Sequence, residues 1–130
     1  MSTEVTMDNT EICKALFEAF ETGDEERARS LCSPQLQAWQ NNNPPMGLDG
    51  LLGLSKTILG VVKDFRYEEA KRSATATGFV EEHRVRGTLP DGSNLDLAVC
   101  VVADVEHGQV VDLREYLDTA AVSGLIAALS

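Results

Sequence analysis

From Phe65 to Leu117 the chain is written in twos. Leu95, Leu97, Val99, Val101 and Ala103 alternate with Asp96, Ala98, Cys100, Val102 and Asp104. Strands turn successive side chains to opposite faces, so this period builds a sheet with one buried face. The strands are expected near Phe65–Arg72, Thr77–Leu89, Leu95–Val105 and Val110–Leu117. Pro90-Asp91-Gly92-Ser93 and Glu106-His107-Gly108 read as hairpin turns between them. One residue breaks the pattern. On the last strand Val111, Leu113, Glu115 and Leu117 share a face, and Glu115 is its only charge. A buried carboxylate is costly unless it is paired, protonated or useful, so Glu115 is the first pointer to a site.

The N-terminal part changes period. Asp8 and Glu11 resemble a capping box, and Ile12, Ala15, Leu16, Ala19 and Phe20 fall on one helical face. Gly23 stops that helix, and Asp24 caps a second one that ends at Ser33-Pro34. A short extended piece, Leu36 to Gln40, runs into the loop Asn41-Asn42-Asn43-Pro44-Pro45. Leu51, Leu52, Ile58, Leu59 and Val62 mark a third helix, and Val122, Leu125, Ile126 and Leu129 a last one. Gly47, Gly50 and Gly53 lack the preceding strand and spacing of a dinucleotide loop. Helices first and a meander after them make an α+β domain spanning residues 1–130, with residues 1–7 as a flexible tail.

Composition narrows the partners. With a net charge of −10 and eleven scattered Lys and Arg, the chain lacks the basic patch of a nucleic-acid binder or a protein of anionic membranes. No segment reaches the roughly 18 apolar residues of a membrane span, and residues 1–7 do not read as a signal peptide. Cys13, Cys32 and Cys100 have no metal-ligand spacing and read as buried thiols in a reducing cytoplasm. No metal or other cofactor is expected. With few aromatic residues, any pocket should be mainly aliphatic.

Several stretches together resemble the NTF2-like (cystatin-like) superfamily, in its SnoaL-like and limonene-epoxide-hydrolase-like branch. These are Phe20-Glu21-Thr22-Gly23-Asp24, Trp39-Gln40-Asn41 before Pro44-Pro45 and Gly47, and Leu89-Pro90-Asp91-Gly92 through Gly108-Gln109-Val110 to Arg114-Glu115-Tyr116-Leu117-Asp118. The resemblance implies N-terminal helices packed on a curved antiparallel sheet, a cone enclosing a pocket for a small hydrophobic molecule. In the epoxide hydrolases of this fold a Tyr-x-Asn pair holds water, and two carboxylates bridged by an Arg act as base and acid. Residue by residue, Trp39 takes the Tyr place, Asn41 matches the Asn, and Glu115 takes the place of the last Asp.

Counting back without gaps from Leu89-Pro90, the Arg-x-Asp place holds Glu82, His83 and Arg84 in reversed order. That count turns Glu82 and Arg84 into the pocket. Alternation alone turns the other way, because Phe79, Glu81, His83, Val85 and Leu89 form the more apolar face. A slip or bulge near Gly87 would decide between them. The expected site is therefore Glu115, Glu82 and Arg84 as the acid–base set. Trp39, Asn41, Leu113 and Val99 are expected around the substrate, with His83 as the alternative on the middle strand. The ketosteroid isomerases of this fold need an Asp base where this chain has Asn41 and Asn42, whereas the SnoaL-like polyketide cyclases remain open. Arg114 and Tyr116 alternate outward, to a face that pairs subunits in this fold, so a homodimer is implied. The competing reading is a non-catalytic module for ligand binding or dimerisation.

Overall fold

The structure, a computed structural model, describes residues 7–41 and 43–129. The expected flexible tail therefore lies, apart from Met7, outside the described residues. Helix α1 (Asn9–Thr22) starts at Asp8, whose carboxylate accepts the Glu11 N–H at 2.8 Å. It stops at Gly23, where φ is 72°, a conformation that glycine adopts without steric cost. Asp24 caps α2 (Glu25–Leu31) in the same way, accepting from the Arg27 N–H at 3.1 Å. Strand β1 (Cys32–Gln40) follows at once, then α3 (Leu48–Val61).

The meander is β2 (Lys63–Ala74), β3 (Gly78–Thr88), β4 (Asn94–Glu106) and β5 (Gln109–Leu117), closed by α4 (Thr119–Leu129). His107 and Gly108, at φ 52° and 75°, make the two-residue turn between β4 and β5. The meander is antiparallel throughout. The sheet is not: β1 lies parallel to β5, giving five strands in the order β1-β5-β4-β3-β2. The expected antiparallel sheet is the meander, and the extended piece before the Asn41 loop adds a parallel edge to it. The chain runs through α3 and three strands before β5 returns beside β1, and such a long connection leaves the relative direction free.

Strand β3 pairs with β4 without a break from Gly78 opposite Asp104 to Thr88 opposite Asn94. The irregularities fall on β2 instead, where Asp64 and Glu69 adopt positive φ and the register shifts. The two-residue period of β3 therefore holds over its whole length, and Phe79, Glu81, His83, Val85 and Leu89 are buried. Against this inner face α1 packs Ile12, Cys13, Leu16, Phe17 and Phe20, the main part of the core. Between the sheet, the C-terminal half of α1, α3 and α4 the two layers do not meet. They leave a cavity of about 550 Å³.

Candidate functional site

One lateral row of the sheet carries the chemistry. Strand pairing sets Gln40 opposite Glu115, Glu115 opposite Val101, Val101 opposite Glu81, and Glu81 opposite Arg72. Residues directly opposite share a face, so this row crosses all five strands on the inner side. Its centre, Val101, and its carboxylate, Glu81, are both fully inaccessible.

Glu81 has a complete set of partners. Oε1 accepts from Arg72 Nε at 2.8 Å and from Cys13 Sγ at 3.6 Å. Oε2 lies 2.6 Å from His83 Nδ1. Burial first, and then the Glu81 carboxylate, push the Cys13 thiol up to about 12, so it remains a donor. The Glu81 contact assigns the proton on the imidazole to Nδ1 and leaves the lone pair on Nε2. No buried side-chain nitrogen or oxygen among the described residues lacks a partner. His83 Nε2 and the Tyr67 hydroxyl have none within the chain. Both atoms therefore keep access to solvent, through the cavity that their residues line.

Glu115 is half-buried and lines the same cavity. Its single side-chain partner is Gln40, whose Nε2 donates at 3.3 Å, and no Lys or Arg pairs with it. Desolvation holds its carboxyl above the ordinary value, with His83 and the Gln40 hydrogen bond opposing the shift. Tyr67 is pushed well above its usual range by burial and then by Glu115, Glu21 and Glu81, so its hydroxyl can donate but does not ionise.

The wall around these groups has one aromatic corner. Phe17, Phe20, Phe65 and Tyr67 line the cavity beside His83. They are wedged edge to face: Phe17 stands 5.3 Å from Tyr67 and 4.9 Å from His83, and Phe65 stands 5.2 Å from Tyr67. Aliphatic residues of α3 and α4, among them Leu54, Ile58, Val122 and Leu129, form the opposite side. Val85, Leu97, Val99 and Leu117 continue the aliphatic lining across the sheet, so the wall is mainly aliphatic with one aromatic corner. The rings of that corner come from α1 and β2, which the fold brings together beside His83 of β3.

The expected residues separate into two groups. Glu115, His83, Val99 and Asn41 line the cavity. Glu82 and Arg84 do not, because the unbroken register of β3 turns them to the outer face. Glu82 is exposed there, and Arg84 pairs with Asp96 at 2.7 Å. Trp39 also faces outward, its ring 5.2 Å from that of Tyr116. Its neighbour Gln40 takes the inward place. Leu113 is fully buried in the core, one step past the cavity.

Asn41 reaches the wall, but its amide is occupied. Oδ1 accepts the Leu117 N–H at 2.9 Å and Nδ2 donates to the Leu117 carbonyl at 3.2 Å. It extends the ladder between β1 and β5. Among the described residues no group of His, Cys, Asp and Glu is placed to hold a metal, and no helix is long and apolar enough to cross a membrane.

Sequence reasoning missed Glu81, Arg72, Tyr67 and Gln40 as parts of the site. Glu81 was legible as a second charge on the apolar face of β3, but the ungapped count from Leu89-Pro90 set that face aside. Gln40 follows from the same alternation that turns Trp39 out. Tyr67 and Arg72 had no comparable signal, because the register shifts in β2 break its period.

Comparison with known proteins agrees with this architecture. Residues 13–113 match the model of the SnoaL-like domain. No curated protein matches the chain in sequence. Among solved structures, a proposed polyketide cyclase from Pseudomonas putida is 17% identical, with a TM-score of 0.78 over 88% of this chain and 95% of the other. IdmH, a proposed polyketide cyclase from Streptomyces antibioticus, is 20% identical, with a TM-score of 0.79 over 95% of this chain and 99% of the other. A proposed isomerase from Bacillus subtilis is 12% identical, with a TM-score of 0.77 over 92% and 93%. At such identities the likeness is one of fold.

Proposed function

The chain belongs to the SnoaL-like domain family, and from that premise we propose that it performs acid–base chemistry on a small hydrophobic molecule, with Glu115 as the acid and His83 as the base. The observation that carries this reading is the meeting of two different proton carriers on one cavity wall. Burial favours the protonated form of Glu115, and Glu81 fixes the imbalance of the imidazole so that Nε2 is the acceptor. A carboxyl that can give a proton and an imidazole nitrogen that can accept one, both on one wall, supply the two halves of general acid–base work.

In a carbonyl substrate His83 Nε2 takes a proton from the carbon beside the carbonyl, and Glu115 delivers one to the carbonyl oxygen. With a β,γ-unsaturated ketone, His83 returns its proton to the γ-carbon of the resulting dienol, Glu115 takes back the proton of the enol oxygen, and the double bond has moved. With a second carbonyl in the same molecule, the enol carbon attacks that carbonyl carbon, its oxygen takes the proton from His83, and a ring closes. This makes the chain an isomerase or cyclase of the kind named for its structural neighbours. Epoxide opening is the weaker alternative, since no Arg lines the cavity to bridge two carboxylates.

Deuterium exchange at the α-carbon of cyclic ketones, followed by NMR in D2O, tests the mechanism without its natural substrate. The wild type should exchange faster than buffer, and Glu115→Gln and His83→Ala should each lose about 10²-fold or more. Unchanged exchange in Glu115→Gln sinks the mechanism. The outer face of the sheet supports a homodimer, with Trp39 packed edge to face with Tyr116 and Tyr116 47% exposed. Tyr116→Glu should then sediment as a monomer. The three free thiols suit a reducing, cytoplasmic setting.

A further inference from the structure

The cavity has an acid but no fixed positive charge. Among the described residues its wall contains Glu115 and no Lys or Arg. The other charges nearby are matched elsewhere. Glu81 is held by Arg72 behind His83, and Glu21 accepts the Tyr67 backbone N–H at 3.1 Å. Helices α3 and α4 contribute only apolar and hydroxyl side chains to the wall. A carboxylate in such a place either keeps its proton or waits for a cation. An anionic ligand would meet Glu115 with nothing to offset the repulsion, and a neutral one would leave it unpaired. The same cavity is lined by the rings of Phe17, Phe65, Tyr67 and His83, of which Tyr67 and His83 lie close enough to interact electrostatically with Glu115, and aromatic rings attract cations as well as apolar groups. A volume of about 550 Å³ falls within the range of small-molecule sites.

We infer that this cavity selects organic amines, an ammonium group on an apolar body, with the Glu115 carboxylate as counter-ion. The proton balance is simple. A neutral amine entering the cavity takes the proton of the Glu115 carboxyl and becomes the ammonium. An amine already charged in solution displaces that proton to water. Both routes end in the same pair, a carboxylate against an ammonium between aromatic rings. The inference rests on the proposed role of Glu115 as the ionisable group that meets the ligand, and it names what that ligand carries.

Three probes of one shape test it by calorimetry: 2-naphthylmethylamine, 2-naphthylmethanol and 2-naphthoate. In the wild type the amine should bind at least tenfold more tightly than the alcohol, and the naphthoate weakest of the three. In Glu115→Gln, which keeps the shape and the Gln40 contact, the amine should lose that advantage. Lowering the pH gives a second measurement on unaltered protein. Amine affinity should fall as Glu115 takes up its proton, while that of the alcohol stays level. His83, Tyr67, Glu81 and Glu21 are the other ionisable groups around the site. Because Glu115→Gln retains all four, a pH dependence that survives in it belongs to them and overturns the assignment to Glu115. Equal binding of the three probes, tightest binding of the naphthoate, no binding of the amine, or an amine preference that persists in Glu115→Gln each overturns the inference. Ketone exchange is measured separately. Loss of exchange in Glu115→Gln with no amine preference would retain the catalytic reading and remove this one.

Discussion

Glu81 and Glu82 are neighbours in the chain and opposites in the fold. Glu81, on the inner face, is fully inaccessible and binds Arg72, His83 and Cys13. Glu82, on the outer face, stands in solvent. Charged pairs on the outer face, such as Arg84 with Asp96 and Arg86 with Glu69, are well exposed and have water as an alternative partner. A charge on the inner face has only what the row across the sheet supplies. The same side-chain chemistry is therefore structural and positioning on one side of the sheet and a matter of solvation on the other.

Removing one residue from each face should make the contrast measurable. Glu81→Ala leaves Arg72 and His83 without their acceptor in the interior, and should destabilise by about 3–5 kcal/mol in urea melts. Glu82→Ala should stay within about 0.5 kcal/mol. Similar losses for both would mean that the two faces are not distinguished by burial.

Glu115 gives a smaller effect with a sign of its own. Its folded value is raised above the ordinary 4.5. Whatever the protonated group contributes to stability is intact below that pH and lost as pH rises through the folded value. Glu115→Gln should therefore be more stable than the wild type at neutral pH, by on the order of 1 kcal/mol. The gap should close toward pH 4, as read from thermal melts across the range. A variant less stable at every pH would mean that the ionised carboxylate is a structural partner. The smallest effect belongs to the outer face. A double-mutant cycle on Arg84 and Asp96 should return about 0.2–1 kcal/mol, falling with added salt.

Much of this was readable from periodicity. The caps at Asp8 and Asp24, the stop at Gly23, the meander and the inward turn of Glu115 all follow from local rules that the tertiary structure does not override. The middle strand shows where such reading fails. Alternation turned His83 inward, while a count carried over from a family motif turned Glu82 and Arg84 inward. The count starts from Leu89-Pro90, and an offset of one residue there exchanges the two faces of β3. The aromatic corner was unreadable for another reason. Phe17 on α1 lies nearly fifty residues before Phe65 and Tyr67 on β2, and nothing local to Phe17 marks their common destination. Asn41 was found by its spacing, but its role is decided by a partner 76 residues away.

That long link has a kinetic consequence. Hairpins β2–β3, β3–β4 and β4–β5 close short stretches of chain, whereas the parallel edge between β1 and β5 forms only once both ends of the domain have been brought together. Contacts of such sequence separation are slow to form. Until β1 docks, Gln40 is not beside Glu115 and the cavity lacks one wall. A ligand that needs the finished cavity then binds only the fully folded chain and pulls the last step to completion by mass action. Backbone exchange at Asn41 and Leu117 would report that step, and its slowing on ligand addition would show the edge being held shut.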